Sequence, residues 1–447
     1  MSPSHEASPA SVARSPLDLA ISATIDGEYE VALRQAGAIL EQDPTRAVAA
    51  LVIGKCLGEL SFVEPACLAL RLAVRLSVRE GFLPRAVAAA IELSKFGAKT
   101  EEVLSNLARI FARGSTRLVQ QGAAPPALTR PRLSAVPLQH GLKGNGLISY
   151  VAGLIKGIEK GLESADDERP LPRQPLLSAL EEAGLTQTLN AFDLVWVNAG
   201  TTIVEQAQPG EEAYILARGE IQVTRKDESG ADLVLARLGS GALFGEMALL
   251  SRAPRAASVV ACRASLLLVA KKEALDEVVA AVPDVGAVLA DYCRHRMIDN
   301  LVRTSKILSR VQPVERVALM QRFVTRSFET GERLIGQGQD AEGLHLIASG
   351  EVAVIRDDGG ERTLLATLRV GDVVGEMALV LRKPSTANVV ATAPTVTLHL
   401  PHGEFMGIVR RYPEVLSHLY ELAVERDAMT TSIVAQEATD ADEFVLL

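Results

Sequence analysis

The segment FGEMALLSRAPRAASVVA, which begins at Phe244, holds the residues of this chain best suited to chemistry. Arg255 offers a planar, permanently charged fork that fits two oxygens of an anion. Ala256 and Ala257 beside it lack the bulk to keep backbone N–H groups away from the same anion, and a turn of exposed amides is an anion-binding nest. Gly245 permits close backbone approach, and Glu246 supplies an acceptor for a hydroxyl. Taken singly, an Arg after a turn Pro or a Glu at a strand end is well explained by structure alone. The signal lies in their coincidence.

The pattern occurs twice. NAGTTIVEQAQPGEEAYILARGEIQV, from Asn198, aligns with ETGERLIGQGQDAEGLHLIASGEVAV, from Glu329, and 19 residues separate Gly200 from Gly219 and Gly331 from Gly350. The second cassette, VGEMALVLRKPSTANVVA, keeps Gly375, Glu376, Met377 and Ala378. It departs at the decisive position, where Ser385, followed by Thr386 and Ala387, stands in place of Arg255. A charge-assisted hydrogen bond contributes about 1.5–3 kcal/mol, so this exchange costs roughly tenfold to a hundredfold in anion affinity. Lys383 matches Ala253 and is expected to point away.

Alternating apolar residues bounded by Gly turns predict antiparallel strands closing as a small barrel in each copy. With the Gly-Glu, the Pro-Arg-Ala-Ala and the Gly framework together, residues 176–430 resemble cyclic nucleotide-binding domains. Two in tandem resemble the regulatory subunit of cyclic AMP-dependent protein kinase. The resemblance implies double-stranded β-helix (jelly-roll) barrels. It also implies a cyclic nucleotide site at Phe244, Gly245, Glu246, Met247, Ala248, Pro254, Arg255, Ala256 and Ala257, with Arg255 on the phosphate and Glu246 on the ribose 2′-hydroxyl. Cyclic GMP-selective members often carry Thr after the cassette Arg, so Ala256 favours cyclic AMP over cyclic GMP. In the family the helix after the barrel covers the ligand. Here it starts near Val282, with Tyr292 as the candidate cap for the base. The second site is expected to be degenerate.

The whole chain is thus expected to be α+β and multidomain: an all-α, repeat-like array followed by two barrels with flanking helices. The barrels take residues 176–306 and 307–430, after a disordered N-terminus at 1–16 and a helical domain at 17–120. DGEYEVALRQAGAILEQDP, residues 26–44, resembles the second half of a tetratricopeptide repeat. Gly27 and Tyr29 sit at the turn, Ala32 at the helix crossing, and Asp43-Pro44 at the stop. An ordinary helical bundle gives nearly the same pattern, so both readings stand. Residues 121–175 read as a Pro/Gly-rich linker. It contains a short helix whose stripe is Ile148, Val151, Leu154, Ile155 and Ile158. From Arg109 to Lys160 there are eight basic residues and one acid, Glu159. The helix reads as a docking helix, with a membrane surface or acidic partner as the alternative. Residues 431–447 read as an acidic tail.

Length and composition bound the function. With 447 residues, 48% hydrophobic, 4% aromatic and a net charge of −9, several cores of Ala, Val and Leu are expected, and DNA binding through bulk charge is not. Cys56, Cys67, Cys262 and Cys293 are scattered, which fits a reducing compartment and neither a disulfide framework nor structural zinc. No signal-peptide core and no apolar stretch of spanning length occur, so a cytoplasmic protein is expected. No GxxxxGK[ST], GxSxG or HExxH motif occurs, so neither an enzyme nor a cofactor or metal is expected. His399 and His402 read as a surface or strand-end pair. The sequence shows no helix-turn-helix after the second barrel and no Arg-Arg-x-Ser-like segment before the first. The expected output is a protein partner docked on the concave face of the array. A kinase catalytic subunit as partner, or a purely structural role, are the alternatives.

Overall fold

The computed structural model describes residues 15–97, 100–119, 141–162, 170–226, 231–246, 254–304, 322–340, 342–359 and 361–444. Met247, Ala248, residues 1–14 and most of the expected linker lie outside them. The chain forms two compact units. The first takes the N-terminal helices and most of the first barrel. The second takes short segments around Gln206–Gly210 and Arg255, and the chain from Ala290 onward.

The first unit opens with helices α1 (Pro16–Ile25), α2 (Tyr29–Gln42), α3 (Ala47–Glu59), α4 (Val63–Arg79), α5 (Leu83–Ser94) and α6 (Thr100–Phe111). Ser15 and Pro16 belong to this array and not to an N-terminal tail. Ser15 caps α1 in a reciprocal capping box with Asp18, and Pro16 fills the first helical position. The α1–α2, α3–α4 and α4–α5 turns reverse through the same device. Gly27, Ser61 and Gly81 take positive φ, and the next amide reaches back, as from Phe62 N to Leu57 O at 2.8 Å and from Phe82 N to Ser77 O at 2.9 Å. At Gly81 a side chain would also run into the Pro172 ring. Helix α3, central in the row, is buried on every side from Ala47 to Ile53.

Helix α7 (Gly144–Leu162) packs on α2 and α4. Leu147, Ile148, Val151 and Ile155 are buried against them, while Leu154 and Ile158 remain half-buried. Val151 closes on Gly37, and Arg34 Nη2 donates to Leu142 O at 3.3 Å. The amphipathic helix is therefore docked on the array, and Lys156 and Lys160 face solvent. Among the described residues no helix is long and apolar enough to cross a membrane.

After α8 (Glu182–Asn190) comes the first barrel: β1 (Phe192–Val197), β2 (Thr202–Val204), β3 (Glu212–Arg218), β4 (Glu220–Lys226), β5 (Asp232–Gly239), β6 (Leu243–Phe244), β7 (Ser258–Ala261) and β8 (Ser265–Lys271). Two antiparallel sheets, β1-β8-β3-β6 and β2-β7-β4-β5, face each other. They close on Leu216, Ile221, Phe244, Val259 and Leu267. Helices α9 (Lys272–Ala281) and α10 (Pro283–Thr304) follow.

The barrel packs against α1 and α5 of the array through β1, β3 and β8. Asp18, 3% exposed, is the hub of this seam. Arg218 Nη2 of β3 lies 2.5 Å from one of its oxygens and Arg263 Nη2 lies 2.6 Å from the other. Burial alone would raise the Asp18 carboxyl, but hydrogen bonds from Arg263 and Ser15 and the charge of Arg218 hold it at about 2. Nearby, Trp196 Nε1 donates to Glu92 Oε1 at 2.8 Å, and Asn198 Nδ2 donates to Asp26 at 3.0 Å. The barrel thus covers the side of the array formed by α1 and α5.

The second unit repeats the order: β9 (Val324–Phe328), β10 (Arg333–Ile335), β11 (Gly343–Ser349), β12 (Glu351–Asp358), β13 (Glu361–Arg369), β14 (Val373–Val374), α11 (Glu376–Leu381), β15 (Asn388–Ala391), β16 (Thr395–Pro401), α12 (His402–Arg411) and α13 (Pro413–Phe444). Its sheets are β14-β11-β16-β9 and β10-β15-β12-β13. Leu346, Leu398, Phe405 and Leu419 join sheet and helices in one core, which also takes Met297 and Leu301 of α10. Two expectations are corrected. The tail from 431 continues α13 as far as Phe444. His399 is a buried strand residue opposite His345, whereas His402 opens α12.

Candidate functional site

Each cassette is hung on a short loop by a pair of backbone hydrogen bonds. In the first copy Arg255 N donates to Gln208 O at 2.9 Å and Ala207 N donates to Arg255 O at 2.8 Å. In the second, Ser385 N donates to Gln339 O at 2.9 Å and Gly338 N donates to Ser385 O at 2.7 Å. The frame is the same, and only the side chain it presents has changed. The Arg255 guanidinium lies against Gly210, where any Cβ would collide with it. Gly210 is thus a site residue that the sequence reading missed. Its signal was a Gly in the loop ahead of β3.

Phe244 ends β6 and stacks on Tyr214 of β3, with ring centroids 5.0 Å apart. Gly245 follows with φ of 75°, and Glu246 is buried. Pro254, Arg255 and Ala257 are half-buried and Ala256 is exposed. Tyr292 is half-buried on α10.

The second cassette is seen more completely. Gly375, Glu376, Met377, Ala378, Ser385, Thr386 and Ala387 line one cleft of about 110 Å³. Gly375 has φ of 87°, and a Cβ there would lie 2.7 Å from Gly343 O, so only glycine fits. Helix α13 contributes Arg426, Met429 and Thr430 to the lining. Arg426 Nη1 donates to Glu376 Oε1 at 2.6 Å and to Val373 O at 2.7 Å. Burial pushes the Glu376 carboxyl above its ordinary value, and the Arg426 charge opposes that shift. Lys383 is exposed, as expected. The cleft therefore keeps its carboxylate but presents Ser385 at the cassette position, and Arg426 of its lining is tied to Glu376.

Arg426 was not found by sequence reasoning, although a signal exists. It stands 13 residues after Pro413, as Arg296 stands 13 residues after Pro283. Both follow the barrel at the start of the next long helix.

The cyclic nucleotide-binding domain family matches this chain twice, at residues 194–281 and 325–412. A cAMP-dependent protein kinase type II regulatory subunit of Drosophila melanogaster is 30% identical over 223 residues, 50% of this chain and 56% of that protein. A cAMP-dependent protein kinase regulatory subunit of Yarrowia lipolytica is 27% identical over 333 residues, 73% of this chain and 82% of that protein. The chain spans about half the length of the Drosophila protein and of the similar regulatory subunits from Blastocladiella emersonii and Hypocrea atroviridis. The regulatory domain of Toxoplasma gondii PKA, crystallised with cAMP, is 26% identical, with coverage of 56% of this chain and 92% of that one and a TM-score of 0.28.

Proposed function

Because the chain carries two cyclic nucleotide-binding domains in tandem and is homologous to the regulatory subunits of cAMP-dependent protein kinase, we propose that it is a non-catalytic cyclic nucleotide receptor whose first barrel binds cyclic AMP and whose second does not. One observation carries this reading: the two cassettes share a backbone clamp, yet one presents Arg255 and the other Ser385. A buried phosphodiester charge needs a partner, and only the first cassette supplies one at the cassette position. Glu246 is the acceptor for a ribose hydroxyl, and Ala256 favours cyclic AMP over cyclic GMP. Calorimetry on the full chain tests the assignment. One equivalent of cyclic AMP is expected, lost in Arg255→Ala. Two equivalents, or unchanged binding in that variant, would sink it.

The output we propose is a protein partner whose affinity depends on ligand. The array packs against β1, β3 and β8 of the first barrel, so a change in that barrel is felt by the helices directly. This support favours regulation through surfaces of the array other than its barrel-facing side. A kinase catalytic subunit is the second reading, favoured by the regulatory subunits it resembles. Capture with a kinase catalytic subunit as bait, with and without cyclic AMP, separates the two.

A further inference from the structure

The second barrel has not simply lost a cation; it carries others where the first has none. Positions can be matched through equivalent strand pairs. Val195 faces Leu267 in the first barrel, as Arg326 faces Thr397 in the second. Tyr214 faces Val269, as His345 faces His399. Thr202, which pairs with Val260, becomes Arg333, which pairs with Val390. Leu267, Val269, Val197 and Tyr214 belong to an apolar core, whereas their counterparts are Thr397, His399, Phe328 and His345.

Of these, Arg326, Phe328, Arg333 and His345 border a cavity of about 280 Å³ lined also by Gln339, Gly343 and Ser385. It adjoins the cassette cleft, because Ile335 and Ser385 line both. His345 Nδ1 is paired with Thr397 Oγ1 at 3.0 Å, and its ring lies 4.3 Å from that of His399. His399 is 3% exposed, and its Nδ1 has no hydrogen-bond partner. His399 stands behind His345 and does not itself line the cavity. Arg333 makes no ion pair among the described residues, and Arg326 Nη1 is only loosely held, 3.6 Å from the exposed Glu342. Asp340 and Glu342 sit in the same lining, so the cavity carries both signs of charge.

We propose that this chamber binds a small oxyanion of the phosphate class between Arg326 and Arg333, with His345 and Ser385 as hydrogen-bonding wall. The phosphate reader of the second barrel then stands in the chamber that adjoins the cassette at Ser385, not in the cassette itself. The proposal is independent of cyclic AMP binding in the first barrel.

Calorimetry of the full chain with inorganic phosphate is the test, at constant ionic strength. Saturable binding is expected in wild type and equally in Arg255→Ala. It should weaken at least tenfold in Arg333→Gln, an exposed change that leaves the fold intact, and in Arg326→Gln. A second variant pair, His345→Tyr with His399→Val, restores the first-barrel residues and should abolish it. Absence of saturable binding, or equal affinity in Arg333→Gln and wild type, overturns the proposal. Adenosine 5′-monophosphate separates two sources of the same chemistry. Tighter binding than phosphate, reduced to the phosphate level by Met429→Trp in the adjoining cleft, identifies a nucleotide; equal affinity identifies free phosphate.

Discussion

The two barrels share strand order, clamp and glycine framework, yet they place polarity in opposite parts. In the first, the cation stands in the cassette, and the apolar core holds Tyr214 and Val269 at the positions of the histidine pair. In the second, the cassette is neutral at Ser385, while the interior holds the His345–His399 pair and Arg326 lines the cavity beside it. Their outer supports differ as well. The first barrel carries Arg218 at the end of β3 and is braced by Asp18 of the array. The second has Ser349 at the matching position and is covered by its own helix α13, with Arg426 reaching Glu376. A duplicated frame thus tolerates redistribution of charge, with the buried carboxylates Asp18 and Glu376 each paired to an arginine.

The largest effect that separates the barrels is expected from Asp18→Asn. It leaves Arg218 buried beside Arg263 without a counter-charge, a change that typically costs about 3–5 kcal/mol. Chemical denaturation should show the loss in the first barrel and array only. A loss confined to the second barrel would contradict the bracing role of the pair.

Acid should act the other way. His345 is held neutral by burial, with His399 and Arg326 adding to the effect, down to about 3, and burial lowers His399 also. The unfolded chain takes up these protons near 6.5 and the folded barrel does not. Stability is therefore complete above that value and falls as pH drops toward 3, by a few kcal/mol at most, on the order of 1.4 per pKa unit. The Asp18 contribution is lost only between 3.8 and about 2. Between pH 6 and 4 the second barrel should thus soften first. His345→Tyr with His399→Val should remove the effect, and comparing the variant with wild type isolates it from Glu376, whose raised pKa acts oppositely. A thermal scan series in which both proteins respond alike to pH would refute the assignment.

Ligand binding is the next contrast. Arg255→Ala should weaken cyclic AMP binding by about a hundredfold or more. The smallest effect sharpens the comparison most: Ser385→Ala should leave cyclic AMP stoichiometry and affinity unchanged, within about 0.5 kcal/mol. A measurable loss would mean that the second cassette holds the nucleotide after all.

The repeated barrel and its cassette were legible because their information is local. Gly200, Gly219, Gly331 and Gly350 mark turns, and the contrast of Arg255 with Ser385 needs no coordinates. The helical pattern told which faces are buried but not what buries them. Val151 and Ile155 gave the docking stripe of α7, yet nothing in their spacing points to α2 and α4. Asp18 meets Arg263 across 245 residues, and Arg426 meets Glu376 across 50. Charges separated so far along a chain leave no periodic trace. His399 has His402 as its neighbour in sequence, while its companion His345 lies across the ladder.

The chain has one tryptophan, and Trp196 sits on the seam between the helices and the first barrel, bonded to the fully buried Glu92. Lys55 lies 5.7 Å from its ring centre. An indole with a carboxylate at its nitrogen and an ammonium near its face has an emission colour set by those two charges. Any event that parts helix from barrel moves both at once. The molecule therefore carries an intrinsic, label-free optical gauge of that seam, undiluted by any second tryptophan.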